Sequence, residues 1–151
     1  MEIEKKYLLR EVPENLSDYR YSRIEQAYLN AEPVLRIRHK DDSYILTYKS
    51  KGMMVRREEE FPLNEQAYLH LRDKADGRVI TKTRYYIPYH RYTIELDVFH
   101  GVMEPLVMAE VEFATAEEAN DFVPPAWFGE EVTFDKKYHN VNMALGGYDY
   151  E

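Results

Sequence analysis

The chain has 151 residues, a length that fits one domain of ordinary size. Hydrophobic residues make up 44% of it and charged residues 32%, a globular balance, and no apolar run approaches the roughly 20 residues needed to cross a bilayer. The absence of cysteine excludes disulfides and thiolate metal sites. The net charge of -8 disfavours non-specific binding to nucleic acid or to anionic membranes, so an anionic ligand would need a local basic pocket.

The two ends of the chain carry weak signals. The first four residues, Met1 to Glu4, contain neither a basic leader nor an apolar signal core, and we therefore expect a cytoplasmic protein. The last six, 146–151, are small, aromatic and acidic, which predicts a flexible tail. We expect residues 1–151 to form a single domain.

Eight short segments lie between turn signals, a cadence that predicts eight antiparallel strands. The segments are Glu2–Arg10, Arg20–Asn30, Val34–Lys40, Tyr44–Ser50, Met53–Phe61, Arg78–Pro88, Arg91–Phe99 and Leu106–Phe113. Turn residues at 41–43, 50–52 and 100–101 favour hairpins, and Asp76-Gly77 predicts a turn after a helix.

Three helices are expected between or after these strands. They are Glu65–Lys74, Ala116–Phe122 and a short helix within Tyr138–Leu145. Asn64 is placed to cap the first helix, and Thr115 with Glu118 forms a capping box for the second. Pro124 begins a predicted loop that holds the only tryptophan, Trp127.

Residues two apart in a strand share a face, so each predicted strand can be sorted into two faces. One face is apolar and the other is charged in nearly every strand. The charged face carries Lys6, Arg36, Arg38, Lys49, Arg56, Lys82, Arg84, Glu2, Glu4, Glu58, Glu60, Glu95, Asp97, Glu110 and Glu112. The third and sixth strands contribute only cations to it, and the seventh and eighth only anions.

This alternation has two interpretations. An antiparallel sheet with one solvated face would show it, but such a sheet favours mixed charges on neighbouring strands. A closed barrel would instead place the charged faces in a wet lumen and the apolar faces outside, beneath the helices. The segregated signs favour the barrel, whose cations would bind a polyanion and whose carboxylates would bind hard divalent cations. A lipocalin-like barrel for an apolar ligand disagrees with these inward charges.

The first strand, Glu2-x-Glu4-x-Lys6, resembles the ExExK signature of the CYTH superfamily, the triphosphate tunnel metalloenzymes. Further segments follow in the family's order: Leu35-Arg36-Ile37-Arg38, Tyr48-Lys49, Lys82-x-Arg84, Ile94-Glu95-Leu96-Asp97, Glu110-Val111-Glu112 and Asp135-Lys136-Lys137-Tyr138-His139-Asn140. The resemblance covers Glu2 to about Leu145. It implies an α+β fold, mainly antiparallel β, in which an eight-stranded closed β-barrel forms a tunnel with a few helices packed outside.

The resemblance also implies roles for the charged residues. The substrate-binding set is Lys6, Arg36, Arg38, Lys49, Arg56, Lys82, Arg84 and Lys136, with Lys137 as the alternative to Lys136. The metal-binding set, expected to hold two Mg²⁺ or Mn²⁺ ions, is Glu2, Glu4, Glu60, Glu95, Asp97, Glu110 and Glu112. Within these sets the catalytic residues are Glu4, Glu110, Glu112 and Lys6.

The function that the resemblance implies is metal-dependent hydrolysis of inorganic tripolyphosphate to pyrophosphate and phosphate. Compact links between the strands, without an insertion for a base, thiamine or RNA end, favour this substrate. The alternatives are an organic triphosphate, as in class IV adenylate cyclases, thiamine triphosphatases and RNA triphosphatases, and a polyphosphate-binding module without catalysis. A homodimer is left open.

Other patterns carry less information. The five histidines, His39, His70, His90, His100 and His139, lack the spacing of a zinc site and are expected on the surface or in turns. No glycine-rich phosphate loop is present, so side chains must recognise phosphate. Most of the 14 tyrosines are interpreted as packing residues, while Tyr28 shares the parity of Gln26 and could reach the lumen.

Overall fold

The computed structural model describes residues 2–52 and 54–145, so the predicted tail at 146–151 lies outside the described residues. The strands are β1 Glu2–Leu9, β2 Arg20–Asn30, β3 Val34–Lys40, β4 Ser43–Lys49, β5 Val55–Arg56, β6 Glu58–Leu63, β7 Asp76–Tyr89, β8 Tyr92–Phe99, β9 Val107–Glu112 and β10 Phe128–Glu131. The helices are α1 Glu65–Arg72, α2 Ala116–Asp121 and α3 Asn140–Ala144. None of these three helices is long and apolar enough to cross a membrane.

The strands form one antiparallel sheet in the order β10-β1-β9-β8-β7-β2-β3-β4-β6. The two ends of this order are brought together by β5, which pairs with β1 through Glu2 opposite Arg56 and Ile3 opposite Val55. Only Arg57 separates β5 from β6, which pairs with β4. The sheet therefore rolls into a nearly closed barrel, and the predicted fold class is confirmed.

The strand count differs from the eight expected, because the described residues form ten. The predicted fifth strand is broken at Arg57, whose backbone turns to bond Ser50, with N–H to Oγ at 2.8 Å and carbonyl to N at 2.9 Å. The tenth strand, β10, lies where a loop was predicted. A side chain at Gly129 would approach the Leu8 carbonyl to 3.1 Å, so a glycine there lets β10 approach β1 closely.

Two of the three apolar clusters lie outside the barrel, as the alternation predicts. One cluster covers the outer faces of β1, β7, β8 and β9 beneath α2 and β10, and Phe122 and Phe128 pack within it. A second cluster of Ala27, Ile37 and Tyr68 joins β2 and β3 to α1. Asn64 caps α1 as predicted, with Oδ1 accepting from Ala67 N at 2.7 Å. Thr115 Oγ1 accepts from Glu118 N at 3.1 Å as predicted, but the Glu118 carboxylate accepts from Ala114 N, one residue before the expected partner.

A third apolar cluster fills one end of the barrel and includes Met143 and Ala144 of α3. Gly77 makes this packing possible, because it has φ +67° and a Cβ there would lie 2.2 Å from the Ala144 carbonyl oxygen. The predicted turn at Asp76-Gly77 is wrong, since both residues begin β7. The third helix thus packs into this end of the barrel and leaves the charged cavity above it.

Candidate active site

The inward faces of the strands surround a cavity of about 180 Å³. Its charged lining comprises Glu2, Glu4, Lys6, Arg36, Arg38, Lys40, Lys49, Arg56, Glu58, Glu60, Arg84, Glu95, Glu110 and Glu112. All predicted site residues are in this lining except Lys82, Asp97 and Lys136. Alternation along single strands therefore predicted which side chains converge.

The acidic wall of the cavity is built by β1, β9 and β8. Their register places Glu4 directly opposite Glu112, and Glu110 lies opposite both Lys6 on β1 and Glu95 on β8. Like charges opposite one another destabilise a sheet unless another group neutralises them. This wall is therefore suited to binding cations.

Glu2, Glu4 and Glu112 form the cluster that best fits a metal ion. One carboxylate oxygen from each lies within 4.8 Å of the others, and two of the three residues are buried. Burial and then the neighbouring Glu95 raise the pKa of Glu112 from 4.5 to about 7. Burial, followed by Glu110, also raises the pKa of Glu4. Oxygen ligands crowded in this way suit a hard divalent ion such as Mg²⁺.

Several cations of the lining are paired with these acids. Lys49 Nζ lies 3.1 Å from Glu2 Oε1, and Lys6 Nζ lies 3.5 Å from Glu110 Oε1. Arg56 Nη2 lies 3.7 Å from Glu4 Oε1. Lysine ammonium groups and carboxylates thus alternate around β1, where a metal ion and a phosphate oxygen would each find a charged partner.

Arg84 is held by carboxylates on three sides. Its Nε and Nη2 donate to Asp97 at 2.7 and 2.9 Å, and Nη1 lies 3.2 Å from Glu95 and Nη2 3.7 Å from Glu110. Lys82 is 1% exposed and its Nζ lies 2.8 Å from Asp97. Burial raises the pKa of Asp97, but Arg84 and Lys82 outweigh it and hold that pKa below its ordinary value. The Lys82–Asp97 pair therefore lies outside the lining and holds Arg84 in place. Asp97 is less available as a metal ligand than Glu2, Glu4 and Glu112.

Arg36 and Arg38 differ from Arg84, because neither forms an ion pair with any carboxylate of the described chain. Arg36 Nη2 donates to Thr47 Oγ1 at 3.5 Å, and its buried Nε has no hydrogen-bond partner among residues 2–52 and 54–145. Arg38 donates to the amide oxygen of Gln26. Arg36 is buried and Arg38 is partly buried, and two guanidinium groups that pair with no carboxylate of the described residues form a ready site for an anion.

Five polar lining residues lie outside the predicted site set, and one of them, Glu58, was already placed on the charged face of its strand. Lys40 continues the alternation of Arg36 and Arg38 on β3, so the sequence pattern could have included it. Tyr28 reaches the lumen as its parity indicated. His139 and Asn140 come from the start of α3, for which no strand pattern exists.

The expectation that His139 lies on the surface or in a turn is wrong. It is 8% exposed, lines the cavity, and its Nε2 lies 2.9 Å from the Thr133 carbonyl oxygen. The segment before α3 folds back over β1, where Val132 N donates to the Lys6 carbonyl at 2.8 Å and Thr133 Oγ1 accepts from Lys6 N at 3.1 Å. These long-range contacts carry the histidine inward.

Lys136 lies beside the cavity and not in its lining. It lines a neighbouring groove that shares Arg56 and His139 with the cavity. Lys137 does not line either space, and its Nζ lies 5.5 Å from the Tyr138 ring. Its position supports Lys136, the favoured residue of the predicted pair, as the one nearer to a bound anion.

Comparison with known proteins agrees with this geometry. The family model of the CYTH domain matches residues 1–140. An inorganic triphosphatase of Nitrosomonas europaea is 38% identical over 149 residues, covering 95% of this chain and 97% of that protein. An inorganic triphosphatase of Acetivibrio thermocellus is 32% identical, covering 97% and 95%. A crystal structure of an inorganic triphosphatase superposes with a TM-score of 0.71 at 36% identity, covering 96% of this chain and 95% of the other.

Proposed function

The chain belongs to the CYTH domain family, and from that premise we propose that it hydrolyses inorganic tripolyphosphate to pyrophosphate and phosphate with the help of divalent metal ions. Two relatives with 38% and 32% identity over nearly their full lengths carry the name inorganic triphosphatase. The observation that carries the proposal is the pairing of two walls in one cavity. Glu2, Glu4 and Glu112 gather on one side, and on another side Arg36 and Arg38 form no ion pair with a carboxylate of the described residues.

The acidic cluster supports metal dependence. Glu2, Glu4 and Glu112 would hold Mg²⁺ or Mn²⁺, with Glu110 next to them on β9. A bound ion would supply neutralisation of charge on phosphate oxygens and make a water more acidic. The proposed second ion would use Glu60, Glu95 or Asp97. Among the described residues, Glu60 accepts a 3.4 Å hydrogen bond from Thr47 and forms no ion pair.

The cationic residues bind and orient the substrate. Tripolyphosphate carries about four to five negative charges near neutral pH, and arginine binds such oxygens through paired N–H donors. Arg36 and Arg38 would be the principal clamps, because neither is already bound in an ion pair by a carboxylate of the described residues. Lys6 and Lys49 line the cavity beside Glu110 and Glu2, where an ammonium group stabilises charge that develops during phosphoryl transfer.

The size of the cavity favours an inorganic substrate over a nucleotide. Its volume of about 180 Å³ is below the roughly 300–1,000 Å³ that is typical of sites for drug-sized ligands. A short polyphosphate fits this space, whereas the base and sugar of ATP would have to lie outside it. Organic triphosphates are therefore the second candidate class. A cytoplasmic location and a homodimeric state stay predictions from the sequence.

The test is release of phosphate from tripolyphosphate, ATP and thiamine triphosphate, each with Mg²⁺, with Mn²⁺ and with a chelator. We expect metal-dependent turnover that is fastest with tripolyphosphate. Faster turnover of ATP or thiamine triphosphate would show that tripolyphosphate is not the preferred substrate, while metal-dependent hydrolysis would stand. Tight tripolyphosphate binding without turnover under any condition would leave the non-catalytic binding module.

A further inference from the structure

Gln26 lies on β2, next to the β3 arginines that line the cavity, Arg36 and Arg38. It is 0% exposed and does not line the cavity, although Arg38 on β3 and Tyr28 on its own strand do. The pairing of β2 with β3 places it directly opposite Arg38. Its amide oxygen accepts two hydrogen bonds from that guanidinium, from Nε at 3.1 Å and from Nη2 at 2.8 Å.

The orientation of the Gln26 amide follows from chemistry. A guanidinium group can only donate hydrogen bonds, so the amide must present its oxygen to Arg38. The NH₂ group then faces the other way and donates to the Tyr28 hydroxyl at 3.2 Å. Gln26 is thus held at both ends, and Arg38 with it.

The chain uses a similar two-point grip on another arginine, but with a different charge. Asp97 accepts from the Nε and Nη2 of Arg84, as Gln26 does from the same two nitrogens of Arg38. The aspartate neutralises Arg84, whereas the amide leaves Arg38 with its full positive charge. Burial and repulsion from Arg36 and Arg84 lower the pKa of Arg38 to about 10, a strain that a bound anion would relieve.

We propose that Gln26 is a positioning residue for substrate binding: it fixes the Arg38 guanidinium toward the cavity through an uncharged acceptor, so that the charge is reserved for the polyphosphate. This inference rests on the proposed function. A carboxylate in the same place would hold the arginine equally well and would compete with the substrate for it.

The decisive variant is Gln26→Glu, which keeps the shape and both hydrogen bonds but adds a negative charge. Binding of tripolyphosphate is measured by calorimetry with a chelator present, and KM and kcat are measured with Mg²⁺. We expect affinity to fall and KM to rise on the order of tenfold or more, with a smaller change in kcat and no loss of Tm. The control Gln66→Glu makes the same change on the exposed face of α1 and should leave affinity unchanged.

A purely structural role for Gln26 makes the opposite prediction, since Gln26→Glu preserves the grip. Wild-type affinity and KM in that variant would overturn the proposal. A second variant, Gln26→Leu, removes the acceptor and should weaken binding by a similar factor. In an Arg38→Met background it should have little further effect, and an equal loss in both backgrounds would show that Gln26 does not act through Arg38.

The binding arm separates this inference from the proposed function. If the wild-type protein binds tripolyphosphate without turning it over, and Gln26→Glu weakens that binding, the catalytic proposal fails and the positioning role stands. If the wild-type protein turns over tripolyphosphate and Gln26→Glu binds it normally, the positioning role fails alone.

Discussion

Glu112 permits a prediction in which stability and function change in opposite directions. It is exposed, faces Glu4 across the β1–β9 pair, and is surrounded by acidic groups on neighbouring strands. The substitution Glu112→Gln keeps the size of the side chain and removes its charge. We therefore expect it to stabilise the metal-free protein while it removes a metal ligand.

The size of the effect follows from the pKa of Glu112. The rise from 4.5 to about 7 corresponds to roughly 3 kcal/mol at about 1.4 kcal/mol per pKa unit. Solvent screening at this exposed carboxylate reduces the figure to on the order of 1–2 kcal/mol. Since about 1 kcal/mol shifts the Tm of a chain of this size by about 2–4 °C, the variant should melt about 2–8 °C higher with a chelator at pH 8.

The effect should depend on pH with a definite sign. A carboxyl group whose pKa is raised by folding does not lower the stability of the folded state below its unfolded pKa of 4.5. It lowers that stability by the full amount above its folded pKa of about 7. The difference in Tm between Glu112→Gln and wild type should therefore be near zero at about pH 4.5 and largest above pH 7. The control Glu59→Gln alters an exposed glutamate that lies 2.9 Å from Arg57 and should not stabilise the protein.

Added Mg²⁺ should reverse the order of the two Tm values, so that wild type melts above Glu112→Gln. A ligand that binds only the folded state raises Tm in proportion to the logarithm of its concentration over Kd, and the variant should gain less than wild type. Turnover should fall at least on the order of a hundredfold, since even residues that only support metal ligands cost about 10–100-fold. A lower metal-free Tm in the variant, or an equal gain with Mg²⁺, would refute the assignment of Glu112 to the metal site.

Three further outcomes are expected. Arg38→Ala should raise KM for tripolyphosphate on the order of tenfold or more with less effect on kcat, because a charged hydrogen-bond donor contributes about 1.5–3 kcal/mol; a selective loss of kcat in steady-state kinetics would contradict this. Lys136→Ala should raise KM several-fold more than Lys137→Ala, and equal values would remove the distinction between them. Burial raises the pKa of Glu25, but hydrogen bonds from Tyr68 and an arginine outweigh burial and hold that pKa below 4.5. Glu25→Gln should therefore lower Tm at pH 7, and the loss should become smaller as pH falls below about 4.5. A difference in Tm that does not depend on pH would contradict this.

The alternation of charge predicted most of the cavity because it is a property of single strands. Arg36 and Arg38 share a face whatever strand lies beside them, and the same holds for Glu110 and Glu112. Partners across strands depend on register, which the sequence does not specify so directly. That Arg38 faces a neutral amide and Arg84 an aspartate therefore became evident only from the folded barrel.

Depth and long-range contacts were also beyond the sequence pattern. Lys82 and Asp97 have the correct parity, yet their short ion pair leaves them out of the lining. His139 is the opposite case, because it enters the lining through a segment whose placement depends on a hydrogen bond to β1 from far along the chain. The strand β10 has four residues, one of them a glycine, and is too short and irregular to show a pattern of period two.

The junction that closes the barrel has a consequence for its dynamics. The two-residue strand β5 meets β1 through only two residue pairs. Glu2 and Arg56 form one of these pairs, and both also line the cavity. A metal ion and a polyphosphate bound between them would hold β1 and β5 together where the barrel closes. Occupancy should then slow amide hydrogen exchange at residues 2–4 and 54–56 more than in the long ladder of β2 and β7.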